Sequence, residues 1–128
     1  MYDALDPADC FPGASEVALA AAEAAMGTHL PDEYRAFLAF SDGFNGEIGG
    51  HFLMLWSTAE LPSLATGYDV LPAGPDQLLI GSNGGPTAFA IIKGRYASVP
   101  FDSGLADMRI LADGFESFLA AIAAGEGW

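Results

Sequence analysis

The sequence predicts an α+β domain: a mainly antiparallel sheet of four to six strands, with two N-terminal helices and one C-terminal helix packed against it. Three observations predict it. Apolar residues recur at helical spacing in two segments before residue 42, short apolar segments separated by glycine turns follow, and a last helical segment ends the chain. Short hairpin links imply antiparallel pairing, and helices segregated from strands imply α+β rather than α/β. The 128 residues fit one domain, and a 52% hydrophobic content supplies the apolar mass that disordered acidic chains lack.

Residues 1–14 read as an irregular lead-in, broken by Pro7, Pro12 and Gly13. Ser15 suits the N-cap of a helix running to about Met26. Glu16 then meets the positive end of the dipole, and Gly27 suits the left-handed residue past the last turn. Val17, Ala20, Ala21 and Ala24 are expected on its inner face. A second helix begins at Pro31, whose fixed φ suits the first helical position. Tyr34, Phe37, Leu38 and Ser41 fall at i, i+3, i+4 and i+7, so that face points inward, and Asp42-Gly43 stops the helix. Asp42 to Glu47 reads as a glycine-rich loop.

The period then changes. His51 to Trp56 has strand length and aromatic content, and residues 57–64 allow a short helical turn. Leu78 to Ser82 reads as a buried strand, joined through Asn83-Gly84-Gly85, as a type I′ hairpin, to Thr87 to Ile92. Lys93-Gly94-Arg95 turns the chain into Tyr96 to Phe101, where Pro100 belongs at an edge or bulge. Met108 to Leu111 allows a further short strand. Asp113 can cap the last helix, in which Phe115, Phe118, Leu119 and Ile122 share one face and which Gly125 ends.

The charge narrows the partners. Seventeen acids oppose four bases, a formal net charge of −13. Residues 1–64 hold 10 acids against 1 base, and residues 65–128 hold 7 against 3. Nucleic acid and anionic lipid attract basic patches, so neither is an expected partner. A protein with a basic surface is the natural complement. No apolar run approaches the ~18 residues of a membrane span. Met1 to Asp9 carries three Asp and no base, unlike a Sec-type signal peptide, and the single Cys10 suits a reducing compartment such as the cytoplasm.

Little in the sequence indicates chemistry. Cys10, His29 and His51 show no spacing that couples a nucleophile to a base, and acids around Cys10 would weaken its thiolate. Metal ligand spacing is missing, and Asp3, Asp6 and Asp9 do not match a calcium loop, so no metal or cofactor is expected. Gly81 to Gly85 lacks the Lys-Ser/Thr pair and following helix of a phosphate loop. Trp56, inside a strand, reads as core. Phe44 reads differently: an aromatic beside carboxylates on a loop suits anchoring a basic partner.

Several strings occur in a telling order: Gly27-Thr-His-Leu-Pro31-Asp-Glu-Tyr34-Arg-Ala-Phe37-Leu38, then Ser41-Asp42-Gly43, Leu55-Trp56, Ala59-Glu60-Leu61, Ile80-Gly81-Ser82-Asn83-Gly84-Gly85, Phe89-Ala90, Val99-Pro100-Phe101 and Gly114-Phe115-Glu116-Ser117-Phe118-Leu119. In this order the chain resembles the SUKH superfamily, small α+β domains that include cell-wall-synthesis regulators and bacterial immunity proteins. The resemblance spans about Ser15 to Ile122. Pro86-Thr87 stands where relatives often carry an acid, and Ala65-Thr66-Gly67 precedes Tyr68 where an Asn is common. The matched residues have core spacing, so the resemblance implies a fold and a binding role but transfers no catalytic residue.

The expected organisation is a lead-in over 1–14, a single SUKH-like domain over 15–124 and a tail over 125–128. The expected function is a non-catalytic protein-binding domain of the immunity type. It would neutralise a cognate, nuclease-like toxin through an acidic surface, because a nuclease site is built to receive polyanions. The alternatives are a regulatory or scaffold domain without a toxin and, more remotely, a small hydrolase. The expected contact residues are Asp42, Phe44, Glu47, Glu60 and Asp69, all on expected loops or turns.

Overall fold

The computed structural model describes residues 4–67 and 77–126. Ser15 caps the first helix as expected, its Oγ accepting the Ala18 N–H at 3.1 Å. Helix α1 covers Glu16–Met26 and ends at Gly27, whose φ of 72° is the left-handed cap. Its inner face differs from the expectation. Leu19 and Ala22 are buried and Met26 packs on the core, while Val17 is 79% exposed and Ala20, Ala21 and Ala24 face solvent. An alanine-rich helix presents several similar stripes, and the bulky Leu19 and Met26 decide which one turns inward.

Helix α2 covers Asp32–Phe40, with Pro31 one position earlier than expected, at the N-cap. Tyr34, Phe37, Leu38 and Ser41 are all buried. Strand β1 (Phe44–Ile48) follows where a loop is expected, and pairs with β2 (His51–Leu55) through Gly49-Gly50. Both glycines have positive φ, the backbone of a two-residue hairpin whose twist matches its strands. Helix α3 (Leu61–Gly67) is short.

Strands β3 (Gln77–Ser82), β4 (Thr87–Ile92), β5 (Arg95–Pro100) and β6 (Arg109–Ala112) complete one six-stranded antiparallel sheet in sequential order, β1 to β6. The β3–β4 link is not the expected type I′ turn. Four residues separate the strands, only Gly84 has positive φ, and the Asn83 side chain holds the loop by accepting the Gly85 and Thr87 N–H groups at 2.9 and 3.3 Å. The two-residue form occurs instead at Lys93-Gly94, where φ is 52° and 79°. Pro100 pairs with Thr87 beyond the stretch of β5 that β6 covers, so its missing N–H faces no neighbouring strand.

Helix α4 (Phe115–Ala123) buries Phe115, Phe118, Leu119 and Ile122, as expected. Its N-cap is Gly114 rather than Asp113. The Phe115 N–H is satisfied from α2 instead, by Glu33 Oε1 at 2.7 Å, and Asp113 pairs with Arg95 at 2.8 Å. Phe115 lies at the centre of an aromatic wedge, with ring centroids 4.6 Å from Phe37, 5.8 Å from Tyr34 and 5.9 Å from Tyr96. The lead-in is built in rather than loose: Leu5 is buried, Pro7–Asp9 forms a 3-10 turn, and Cys10 bridges to Phe44 of β1. Among the described residues, no helix is long and apolar enough to cross a membrane.

Candidate functional site

The chain leaves α2 through Ser41-Asp42-Gly43, and hydrogen bonds fix this bend. Ser41 Oγ accepts the Phe11 N–H at 3.0 Å and donates to the Gly43 carbonyl, while the Asp42 N–H donates to the Pro12 carbonyl at 3.1 Å. Gly43 has φ +101°, and a Cβ there would lie 2.8 Å from the Leu55 carbonyl oxygen, so glycine is required where the chain enters β1. These ties lay Phe11-Pro12-Gly13 alongside the start of β1.

The result is an open groove of about 640 Å³. Among the described residues it is lined by Phe11, Pro12 and Gly13, by Asp42, by Phe44, Asn45, Met54 and Leu55 of the β1–β2 hairpin, and by Ser57 and Glu60. Phe11 is 47% exposed. Asn45 stands opposite Met54, and Glu47 opposite Phe52, so these four share one side of the hairpin; Phe44, Ile48 and Leu55 take the other.

Both groove carboxylates are held in place. Asp42 Oδ1 accepts the Thr58 N–H at 2.7 Å, and Oδ2 accepts the Thr58 hydroxyl at 3.0 Å. Glu60 Oε1 accepts the Ser57 N–H at 3.1 Å while Ser57 Oγ accepts the Glu60 N–H at 3.3 Å, a reciprocal capping box ahead of α3. Among the described residues no base lines the groove. The arginines are engaged elsewhere: Arg35 with Glu16 at 2.7 Å and Glu23 at 3.4 Å, Arg95 with Asp113, and Arg109 with the Glu126 carbonyl. The Arg35 hydrogen bond and charge hold the Glu16 carboxyl below its usual range. Burial pushes the Tyr34 hydroxyl well above its ordinary value, and the Tyr96 and Asp42 groups add to the rise.

The expected contact residues fare differently. Asp42 and Glu60 come together in the groove, and Glu47 is exposed on the side of the hairpin that carries Asn45 and Met54. Phe44 does not serve as an exposed anchor. Its side chain is 0% exposed, because residues 44–48 form a strand whose alternation turns Phe44 and Ile48 into the core. Asp69 lies outside the described residues. The exposed aromatic beside the carboxylates is Phe11, which the reading as a loose lead-in missed. Two local signals mark the region: the Ser57-Thr-Ala-Glu60 capping-box spacing, and Pro12 after Phe11, which favours extended chain where an aromatic can stay outside. Asp9 lies with its carboxylate against Gly46 of β1.

Cys10 is half-buried beside β1, His29 is exposed in the α1–α2 link, and His51 begins β2 beside Gly125. Among the described residues, no three His, Cys, Asp or Glu side chains come together as a metal site needs.

The family model described as the SMI1 / KNR4 family (SUKH-1) matches residues 13–121. No curated protein matches the chain.

Proposed function

The chain belongs to the SMI1 / KNR4 family (SUKH-1), and on that premise we propose that it is a non-catalytic protein-binding domain of the immunity type. It takes residues 15–124 as its domain, with residues 4–14 folded against it. It acts in the cytoplasm by occupying a basic surface of a cognate, nuclease-like toxin, and it blocks the toxin sterically and electrostatically, without turnover. Asp42, Glu47, Glu60 and Asp69 are the carboxylates proposed for contact, and Phe11 replaces Phe44 as the aromatic anchor.

The observation that carries this reading is the groove: two positioned carboxylates, an exposed aromatic and no base among its described lining residues, in a chain of net charge −13. A field of that sign steers a basic partner and speeds encounter. A partly exposed aromatic at the contact supplies apolar area that charge alone does not.

Co-expression with a toxin encoded beside the gene tests the proposal. The expected result is a co-purifying complex and loss of toxin activity. No complex at micromolar concentration with any neighbouring toxin overturns it.

A further inference from the structure

We propose that the groove receives an arginine side chain on an extended segment of the partner, with its guanidinium between Asp42 and Glu60 and against the Phe11 ring. This rests on the protein-binding reading and specifies its contact chemistry.

The charge of the occupant follows from the lining. Asp42 and Glu60 supply carboxylates, and among the described lining residues none supplies a cation, so a cation is the complement. Asp42 already accepts two hydrogen bonds from Thr58, and Glu60 accepts one from Ser57. A carboxylate has about four lone-pair positions, so both groups keep acceptor capacity for an incoming donor. Those same bonds hold the receptor before the partner arrives, which lowers the ordering cost of binding.

The shape of the occupant follows from the walls. Phe11, Pro12 and Met54 give the groove an apolar lining beside its carboxylates. A lysine ammonium is compact and strongly hydrated, and loses more on entering such a site. A guanidinium is planar, more weakly hydrated and stacks on aromatic faces while its edge donates to carboxylates. The volume of about 640 Å³ lies within the ~300–1,000 Å³ range of ligand sites. It admits a long side chain together with its flanking backbone.

The experiment uses the full chain and three probes: acetyl-Gly-Arg-Gly-amide and its lysine and citrulline counterparts. The signal is the Met54 methyl resonance, since Met54 lines the groove. The expected result is a saturable shift with the arginine probe, about threefold weaker affinity for lysine, and no saturation with citrulline. Glu60→Gln and Phe11→Ala are each expected to weaken the arginine probe about threefold, while Asp102→Asn, outside the groove, changes nothing. Equal affinity for the arginine and lysine probes, an unmoved Met54 methyl, or indifference to Glu60→Gln overturns the proposal. A toxin complex that forms but ignores both Phe11→Ala and Glu60→Gln also overturns it, and leaves the protein-binding reading standing. Absence of any complex removes that broader reading instead.

Discussion

Around Phe115 the protein is dry and aromatic; around Asp42 it is open and anionic. Phe115 meets Tyr34, Phe37, Tyr96 and Phe118, all at 0–1% exposure. Glu33 caps α4 with one oxygen and accepts the Tyr96 hydroxyl with the other at 3.3 Å. The groove reverses this pattern. Its carboxylates face space, its aromatic is half exposed, and its main-chain bonds serve to hold an opening rather than close one. Two of the strings that carry the family resemblance supply Tyr34, Phe37, Phe115 and Phe118 to the first region. The described lining of the groove shares Asp42, Leu55 and Glu60 with the strings, and its other positions lie outside them.

The comparison breaks if the wedge tolerates damage. Phe115→Ala is expected to cost about 3–5 kcal/mol, enough to remove most of a domain's stability, read by denaturant unfolding. A loss below about 1 kcal/mol would mean the wedge is not the centre of the core. Glu33→Ala is expected to cost about 1–2 kcal/mol, because it removes the carboxylate that accepts both the Phe115 N–H at the start of α4 and the Tyr96 hydroxyl. An unchanged unfolding midpoint would show that water replaces the carboxylate.

Tyr34 sharpens the comparison from inside the wedge. Its hydroxyl is buried and has no hydrogen-bond partner among the described residues. Tyr34→Phe is expected to change stability by less than about 1 kcal/mol at neutral pH, in either direction. The pH response is more telling. The folded state holds the Tyr34 proton above the pH where the unfolded chain releases it, so the folded state binds more protons and stability falls as pH rises beyond about 10. Tyr34→Phe is expected to shift the alkaline unfolding midpoint upward, and identical alkaline profiles would refute this. The smallest effect is expected in the groove. Glu60→Gln keeps an acceptor for the Ser57 N–H and should alter stability by less than about 0.5 kcal/mol, measured by thermal unfolding. A larger loss would make Glu60 a structural residue first.

Much of the fold is legible because its signals are local. Tyr34, Phe37 and Leu38 fall at i, i+3 and i+4, Phe115, Phe118, Leu119 and Ile122 fall at i, i+3, i+4 and i+7, and all are buried. Ser15 and Gly27 bound α1 through bonds to residues within one turn. The candidate site is less legible. Asp42 and Glu60 stand out as acids on a bend and a turn, but their convergence runs through Thr58 and the β1–β2 hairpin. Phe44 misleads because a stretch with two glycines beside it looks like a loop until it pairs with β2.

The caps of α1 and the inward faces of α2 and α4 were set by spacing within a few residues of each other. Where bulky apolar residues fall on a single stripe of a helix, its own periodicity decides which face turns inward. Which alanine stripe of α1 turns inward, which acid caps α4, and which aromatic stands beside the groove were decided only when distant segments met. Those choices depend on steric fit between residues as far apart as Glu33 and Phe115, or Phe11 and Ser41, and no local pattern encodes such a meeting.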